Sequence, residues 1–321
     1  MRTMIVLLGL ILSPGDSLSV MFWNVENFFD WRNDSTTVSD LEFSAAGERH
    51  WTWKRFQAKA NAFAKALFWV ETETGRLPDI IGLEEVENAF VLRQVLQKTA
   101  LRKLDYKYVH YDSPDQRGID VALLYRSSRL ELLDSKPCHL YAADTVMATR
   151  DILLCVFKRA GPLDMTDPLS FAVLVNHHPS KYGGAAESEP RRRIAVERLR
   201  FLADSLAAIG LDRIIAGGDF NDTPDNPVFQ LLEPALVPMH LDLYRRDFGT
   251  IKYDGKWDLI DHIYVSPVLI PISRMQILRI PFLLTRDTVH SGEKPLRTYT
   301  GPRHTGGVSD HLPVLLEVRF Q

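Results

Sequence analysis

Apolar runs in this chain keep stopping on the same kinds of residue. Ile214-Ile215-Ala216-Gly217-Gly218 ends in Asp219-Phe220-Asn221-Asp222, and Asp79-Ile80-Ile81-Gly82-Leu83 ends in Glu84-Glu85. Ser17 to Val25 is rich in apolar and aromatic residues and carries Asn24 near its end. Phe171 to Val175 runs into Asn176-His177, and Ser309-Asp310-His311 leads into Val314 to Phe320. Short apolar runs of this kind read as buried strands. A fold that collects several such ends along one edge gives a polar site rigid supports. Taken singly, each end has a bland alternative: Asn or Glu after a strand commonly faces water, and Asp-His can be a turn. Their joint occurrence is the informative feature.

The elements between these strands alternate with them. Phe56, Ala60, Phe63, Ala64, Leu67 and Val70 follow helical spacing, so 54–72 is expected to be an amphipathic helix, and another is expected over about 88–102. Tyr106–Tyr111 and Ile119–Tyr125 read as strands joined by a hairpin-like turn, and Ile152–Phe157 with Phe171–Val175 as a second pair. Pro190 is expected to open a helix that closes at Gly210. Arg191, Arg192 and Arg193 would then lie at the wrong end for the helix dipole, serving either a solvated face or another partner. Residues 231–243 are ambiguous. Trp257 to Ser266 reads as one strand, with Asp261 early in it, and 285–308 as a long Gly/Pro/Thr-rich loop. No repeat, low-complexity tract or linker divides 17–321, so a single domain is expected there.

The N-terminus carries an address. Met1-Arg2 precedes the apolar run Met4–Leu12, which Ser13-Pro14-Gly15 breaks. A run of this length suits a secretory signal, whose apolar core is roughly 7–15 residues, and is too short to span a bilayer. Residues 1–16 are therefore expected to direct export to the periplasm or medium, with a buried N-terminal strand or helix as the alternative, and no stable membrane insertion is expected. Cys138 and Cys155 could pair in an exported protein or remain two buried thiols. A net charge of −3 advertises no general nucleic-acid-coating surface, which leaves only a local basic cleft.

The polar set is chemically coherent. Hard oxygen ligands without thiolates favour Mg²⁺, Mn²⁺ or Ca²⁺. Two histidines suit acid–base work or contact with a phosphate oxygen. No Gly-x-Ser-x-Gly elbow and no phosphate-binding glycine loop with Lys-Ser/Thr is present. Metal-assisted hydrolysis of a phosphate ester is the reaction these groups best explain. A paired-carboxylate inverting hydrolase is the runner-up, and the histidines and amides argue against it.

Six segments, in order, resemble the endonuclease/exonuclease/phosphatase superfamily: Trp23-Asn24-Val25-Glu26-Asn27, Asp79-Ile80-Ile81-Gly82-Leu83-Glu84-Glu85-Val86, Val175-Asn176-His177, Gly218-Asp219-Phe220-Asn221, Ile260-Asp261-His262-Ile263 and Ser309-Asp310-His311-Leu312-Pro313. The form is most similar to its bacterial, often exported, endonuclease-like branch. The resemblance implies an α/β (α+β) fold, a four-layer αββα sandwich of two packed mixed sheets flanked by helices. It implies a divalent metal near Glu85, with Asn24 and Asp310 close by. It implies that Asp219 positions or activates water with Asn221 on the phosphate, and that His177 and His311, the latter held by Asp261, contact the scissile phosphate. Asn176, Arg117 and Lys181 are expected to position substrate, with Asp120 either orienting the site or serving as a plain strand residue. His178 is expected to line or pack. Most relatives carry Gln where this chain has Glu84. The loops 31–53, 180–193 and 285–308 are the candidates for choosing the substrate. The expected enzyme is a monomeric divalent-metal-dependent phosphodiester hydrolase, with a nuclease (endonuclease) acting on DNA or RNA as the leading form. Phosphomonoesterase and lipid or inositol-phosphate phosphodiesterase are the alternatives, with a non-catalytic binding protein as the outside reading.

Overall fold

Side-chain alternation along the strands sorts the chain into layers. In β1 (Ser17–Phe28), Met21, Trp23 and Val25 face one way, and Leu18, Val20 and Phe22 the other. The computed structural model describes residues 17–33, 37–159, 170–181 and 184–320. The proposed export signal lies outside them.

Twelve strands make two mixed sheets. After β1 come β2 (Ile80–Val86), β3 (Tyr106–His110), β4 (Asp120–Arg126), β5 (Leu130–Cys138), β6 (Ile152–Arg159), β7 (Ser170–His177), β8 (Ile214–Asp219), β9 (Val237–Pro238), β10 (Asp261–Val265), β11 (Ser273–Ile277) and β12 (Val314–Arg319). The first sheet runs β11-β12-β1-β2-β4-β3 and the second β9-β10-β8-β7-β6-β5. Helices α1 (Trp53–Thr74) and α2 (Ala89–Lys98) cover the outer face of the first sheet, where Phe56, Phe63, Leu67 and Val70 meet Trp23 and Leu83. Helix α3 (Ala185–Ala208) covers the second with Val196, Leu199 and Leu206 on Leu174 and Ala216. Between the sheets, Val20, Phe22, Val314 and Leu316 pack on Val173, Val175, Ile215 and Ile263. The four-layer αββα sandwich expected from the sequence is the architecture found. No helix among the described residues is long and apolar enough to cross a membrane.

The layers are closest at Phe22. A Cβ on Gly82 would lie 2.5 Å from this ring, and one on Gly217 2.4 Å from its other edge. Neither glycine has a positive φ; each is needed because the ring fills the space a side chain would occupy.

Several expected elements differ. Helix α3 begins at Ala185, so Pro190 lies inside it, and the three arginines are not in its first turn. Arg192 is buried, with Nε 3.2 Å from Asp222 Oδ2, whereas Arg191 and Arg193 are exposed. Trp257–Ser266 is not one strand: 256–258 pairs with 251–253 in a hairpin, and β10 starts only at Asp261. The 285–308 segment is not an open loop, since 284–286 pairs with 293–295 and 299–300 with 303–304. Strand β5 has no counterpart in the sequence reading; it is an edge strand with alternating exposed charges and Pro137 near its end. Cys138 and Cys155 are both buried and free. Cys155 faces the inter-sheet layer and Cys138 the α3 layer, which keeps them apart.

Candidate active site

Four parallel strand ends meet at one end of the inter-sheet layer. β1 and β2 run parallel at the centre of the first sheet, and β7 and β8 at the centre of the second. They deliver Asn24, Glu85, His177 and Asp219 into a pocket of about 260 Å³, which Arg117, Ser180, Asn221, Arg297, Asp310 and His311 also line. A larger cavity, about 630 Å³, lies beside β3 around Arg93, Arg102 and Tyr108. It gathers no acidic or histidine side chains among the described residues, whereas the smaller pocket gathers both.

Backbone irregularities aim the side chains. Strict alternation would put Glu84 and Glu85 on opposite faces of β2. A register shift between Glu84 and Val86, with Glu85 at φ 63°, turns Glu85 into the pocket. Glu84 points into the inter-sheet layer, fully buried, with neither carboxylate oxygen hydrogen-bonded among the described residues. Burial, reinforced by Asp261 and Asp219, drives its carboxyl far above the usual range. A second shift in β1, with Glu26 at φ 46° and Asn27 at φ 49°, re-aims the segment after Asn24. Asn221 has φ 53°, a left-handed conformation that asparagine tolerates. Departures of this kind gather where side chains must be positioned rather than merely packed.

The centre of the pocket is a hydrogen-bonded acid–imidazole group. Asp261 accepts from His311 Nδ1 at 2.9 Å, which fixes that ring. His311 Nε2 lies 3.9 Å from Asp219 Oδ2 and 3.9 Å from Asp310 Oδ1. Asp219 accepts from Asn24 Nδ2 at 3.0 Å and from the Asn221 backbone N–H at 2.8 Å. His177 Nε2 faces Asp219 Oδ2 at 3.7 Å and, from the opposite sheet, Glu85 Oε1 at 4.0 Å. The two histidines are in opposite states. Burial opposes charge on His311, but Asp261 and Asp219 outweigh it and hold its pKa well above the ordinary value. Burial, with Arg150 and Arg117 nearby, drives His177 well below. Burial likewise pushes Asp219 up, to about 7, against the pull of His311.

A second group of oxygens lines the same pocket. Glu85 Oε2 accepts from Asn27 N at 2.7 Å and Asp310 Oδ2 pairs with Arg297 Nη2 at 2.9 Å. Asp310 Oδ1 is then directed at the pocket, Glu85 Oε1 carries only a long 3.5 Å contact from Arg117 Nη2, and Asn24 Oδ1 takes one donor, Glu26 N. Carboxylate and amide oxygens without sulfur fit a hard divalent cation. Asp219, Asp261 and His311 also lie close enough to one another to hold an ion, but His311 already donates to Asp261 and its raised pKa disfavours the neutral ring that a ligand must present.

The other expected residues fall as follows. Arg117 is in the pocket wall, donating to Asn27 Oδ1 at 2.7 Å and lying 3.5 Å from Glu85 Oε1. Asn221 is also there, its amide donating to the His178 carbonyl at 2.9 Å. Asn176 is not: it sits on the outer face of β7, donating to Leu174 O. Lys181 turns away to Asp222 at 2.6 Å. Asp222 also accepts from Thr223 N and Asn226 Nδ2, and so caps the turn that follows. Asp120 accepts from Ser113 N at 2.9 Å and meets His110 Nε2 at 3.2 Å, bracing the turn that carries Arg117. His178 packs on Phe220, with ring centroids 4.4 Å apart.

The sequence reading missed Lys59. This lysine is 2% exposed, donating to the Glu26 carbonyl and, at 2.9 Å, to Thr298 Oγ1. A charge at helical spacing between Phe56 and Phe63 on an otherwise apolar stripe was its signal. Arg297 also emerges as a wall residue, bridging Glu26 at 3.2 Å and Asp310.

Comparison with known proteins agrees with this geometry. A family model described as the Endonuclease/Exonuclease/phosphatase family matches residues 19–320. Protein angel of Drosophila melanogaster is 24% identical over 202 residues, 59% of this chain, and the chain spans about half the length of that relative, 54%. The human Nocturnin catalytic domain with bound sulfate superposes with a TM-score of 0.60 at 17% identity, covering 95% of both chains. A Bacteroides thetaiotaomicron mannosyl-6-phosphatase gives 0.56 at 17%, covering 94% of this chain and 100% of that one. D. rerio TDP2 complexed with single strand DNA product gives 0.54 at 16%, covering 94% and 98%.

Proposed function

Because this chain belongs to the endonuclease/exonuclease/phosphatase family, a family of phosphoesterase hydrolases, we propose that it is a divalent-metal-dependent phosphodiester hydrolase. The observation that carries this reading is the pairing of a carboxylate-held cationic His311 with a buried Asp219 in the same pocket as the carboxylates of Glu85 and Asp310. Asp219, fixed by Asn24 and the Asn221 N–H, accepts the proton of the attacking water. As the new P–O bond forms, the bond to the leaving oxygen breaks on the opposite side. His311 and the neutral His177 donate hydrogen bonds to the charge that builds on the phosphate oxygens, ahead of the event and without reorganisation. Glu85, Asp310 and Asn24 would hold a Mg²⁺- or Mn²⁺-type cation, which when bound neutralises phosphate charge and polarises the P–O bonds.

Nucleic acid is the substrate reading that the walls favour. Arg117 and Arg297 enter from different segments, with side chains 42% and 52% exposed, and so reach both cavity and solvent. Cations placed this way suit the phosphates flanking a scissile one. A phosphatase acting on a monoester remains the second reading, since the fold also carries a mannosyl-6-phosphatase. Hydrolysis of bis-p-nitrophenyl phosphate with and without Mg²⁺ or Mn²⁺ tests the chemistry. Metal-dependent turnover that survives both Asp219→Ala and His311→Ala would falsify the mechanism. Plasmid DNA, RNA, sphingomyelin and inositol phosphates, assayed side by side, separate the substrates. Rapid release of inorganic phosphate with intact plasmid would count against a nuclease. Export rests on residues 1–16 alone, and an uncleaved N-terminus on protein from the native host would refute it.

A further inference from the structure

Two of the three segments expected to choose the substrate, 31–53 and 285–308, meet beside the catalytic pocket. Between them lies a second cavity of about 160 Å³, which shares Glu26, Asn27 and Arg297 with the catalytic one and is closed by Arg49, Tyr299 and Gly301. Its walls lock onto each other. Tyr299 donates its hydroxyl to Arg49 O at 2.8 Å, Arg49 Nη1 donates to Gly301 O at 2.6 Å, and the Arg49 guanidinium lies 5.3 Å over the Tyr299 ring. A cavity braced in this way costs a ligand little ordering.

The donors in it are only partly spent. Arg49 uses Nε on Glu42 and Nη1 on Gly301 O, and Arg297 uses Nε on Glu26 and Nη2 on Asp310. Arg49 Nη2 and Arg297 Nη1 have no hydrogen bond among the described residues. Glu26, the acid between them, is answered by Arg297 and by the Thr298 N–H at 2.8 Å, with Lys59 beneath. Two unspent guanidinium nitrogens beside a neutralised acid suit a small oxyanion. The volume, that of roughly five waters, admits a phosphate with part of its carrier but not a whole nucleoside.

We propose that this cavity is a second subsite, which binds the phosphate group next to the one being hydrolysed. The proposal rests on the phosphoester reading of the catalytic pocket. It makes the enzyme selective for substrates with two neighbouring phosphates, supplied either by a nucleotide chain or by a small polyphosphorylated molecule.

The test compares substrates that differ by one phosphate. KM and kcat are measured for bis-p-nitrophenyl phosphate, for a thymidine dinucleotide with and without a terminal phosphate, and for inositol bisphosphate against monophosphate. Arg49→Gln is expected to raise KM about tenfold for the two-phosphate member of a pair, the loss of one charge-assisted contact. It should leave kcat, and both constants for bis-p-nitrophenyl phosphate, unchanged, and Arg49→Lys should restore part of the loss. Gly301→Asn is the second variant, because Gly301 lines the cavity at φ 57°, a conformation asparagine tolerates better than other side chains, with nothing within 4 Å of its Cβ position. It is expected to raise the same KM values. A KM effect in the dinucleotide arm identifies a strand, and one in the inositol arm a small molecule; either supports the subsite. Equal KM changes for one- and two-phosphate substrates, or none in both variants, overturn the subsite while leaving the catalytic reading standing. Absence of metal-dependent bis-p-nitrophenyl phosphate hydrolysis by the unsubstituted protein overturns the catalytic reading, and this one with it.

Discussion

The two sheets share one strand pattern but offer different chemistry. In the first, the parallel pair β1–β2 is flanked by antiparallel β12 and β4; in the second, β7–β8 is flanked in the same way by β6 and β10. The first contributes Asn24, Glu85 and, just before β12, Asp310 and His311. The second contributes His177, Asp219 and Asp261. Apart from His311, the first sheet supplies oxygens that suit a cation, and the second supplies the groups to which the proposed mechanism gives the proton transfer and hydrogen bonding. Equal scaffolding with unequal residue types shows that the backbone pattern sets where a site forms, while a handful of end residues sets what it does.

That division can be broken by experiment. The largest effect is expected from the second sheet: Asp219→Asn should lower kcat about 10²–10⁴-fold, and saturating metal should not restore it. Recovery with metal would place Asp219 among the ligands instead. Glu85→Gln, from the first sheet, should raise the half-saturating Mg²⁺ or Mn²⁺ concentration by at least about 10–100-fold, the range seen when even outer ligand partners are lost, with much of kcat regained at high metal. An unchanged metal titration would remove Glu85 from that half.

Asp261→Asn sharpens the comparison, because Asp261 reaches across to His311. A cationic His311 is present below its pKa, which Asp261 and Asp219 hold well above the usual value. Losing Asp261's charge lowers that pKa, so the alkaline limb of the rate profile should move to lower pH. A limb that stays in place would show that His311 does not act as a cation. The smallest effect is expected outside the pocket. His178 is buried beside Phe220 with neither ring nitrogen hydrogen-bonded among the described residues, and burial holds its pKa down to about 3. Its neutral form therefore contributes stability that is intact above about pH 6.5 and lost as pH falls toward 3. His178→Phe should melt less steeply with acidification than the unsubstituted protein, while kcat changes little. Parallel melting curves across that range would assign the acid sensitivity elsewhere.

Much of this architecture was legible because apolar runs and their polar stops are local signals. β1, β2, β7 and β8 follow directly from Ile, Val, Leu and Phe content, and their ends from the residue types found there. Less legible were features set by backbone shape or distant contact. Period-two alternation cannot show that Glu85 turns into the pocket, since a bulge at a left-handed residue overrides it. Asn176 and His177 differ by one position and face opposite layers; the run of residues names both, and only the register of β7 separates them. Lys181 is diverted by Asp222, a partner more than forty positions away. The start of α3 was misplaced because Pro190 imitates a first-turn signal, and a helix tolerates proline there at the loss of one backbone hydrogen bond. Arg49 drew no attention because its meaning depends on Gly301 O, reached only when two loops close.

The ring of Phe22, caught between Gly82 and Gly217, works as a fixed gauge between the two halves of the site. The 4.0 Å separation of His177 and Glu85 is measured across that gauge rather than across any loop. Gly217→Ala would have no slack to use, at a cost of about 1–3 kcal/mol, and whatever the sheets yield would appear as spacing between His177 and Asp219 on one side and Glu85 on the other. The machine's tolerance is therefore set in its dry interior, at a contact that no substrate ever touches.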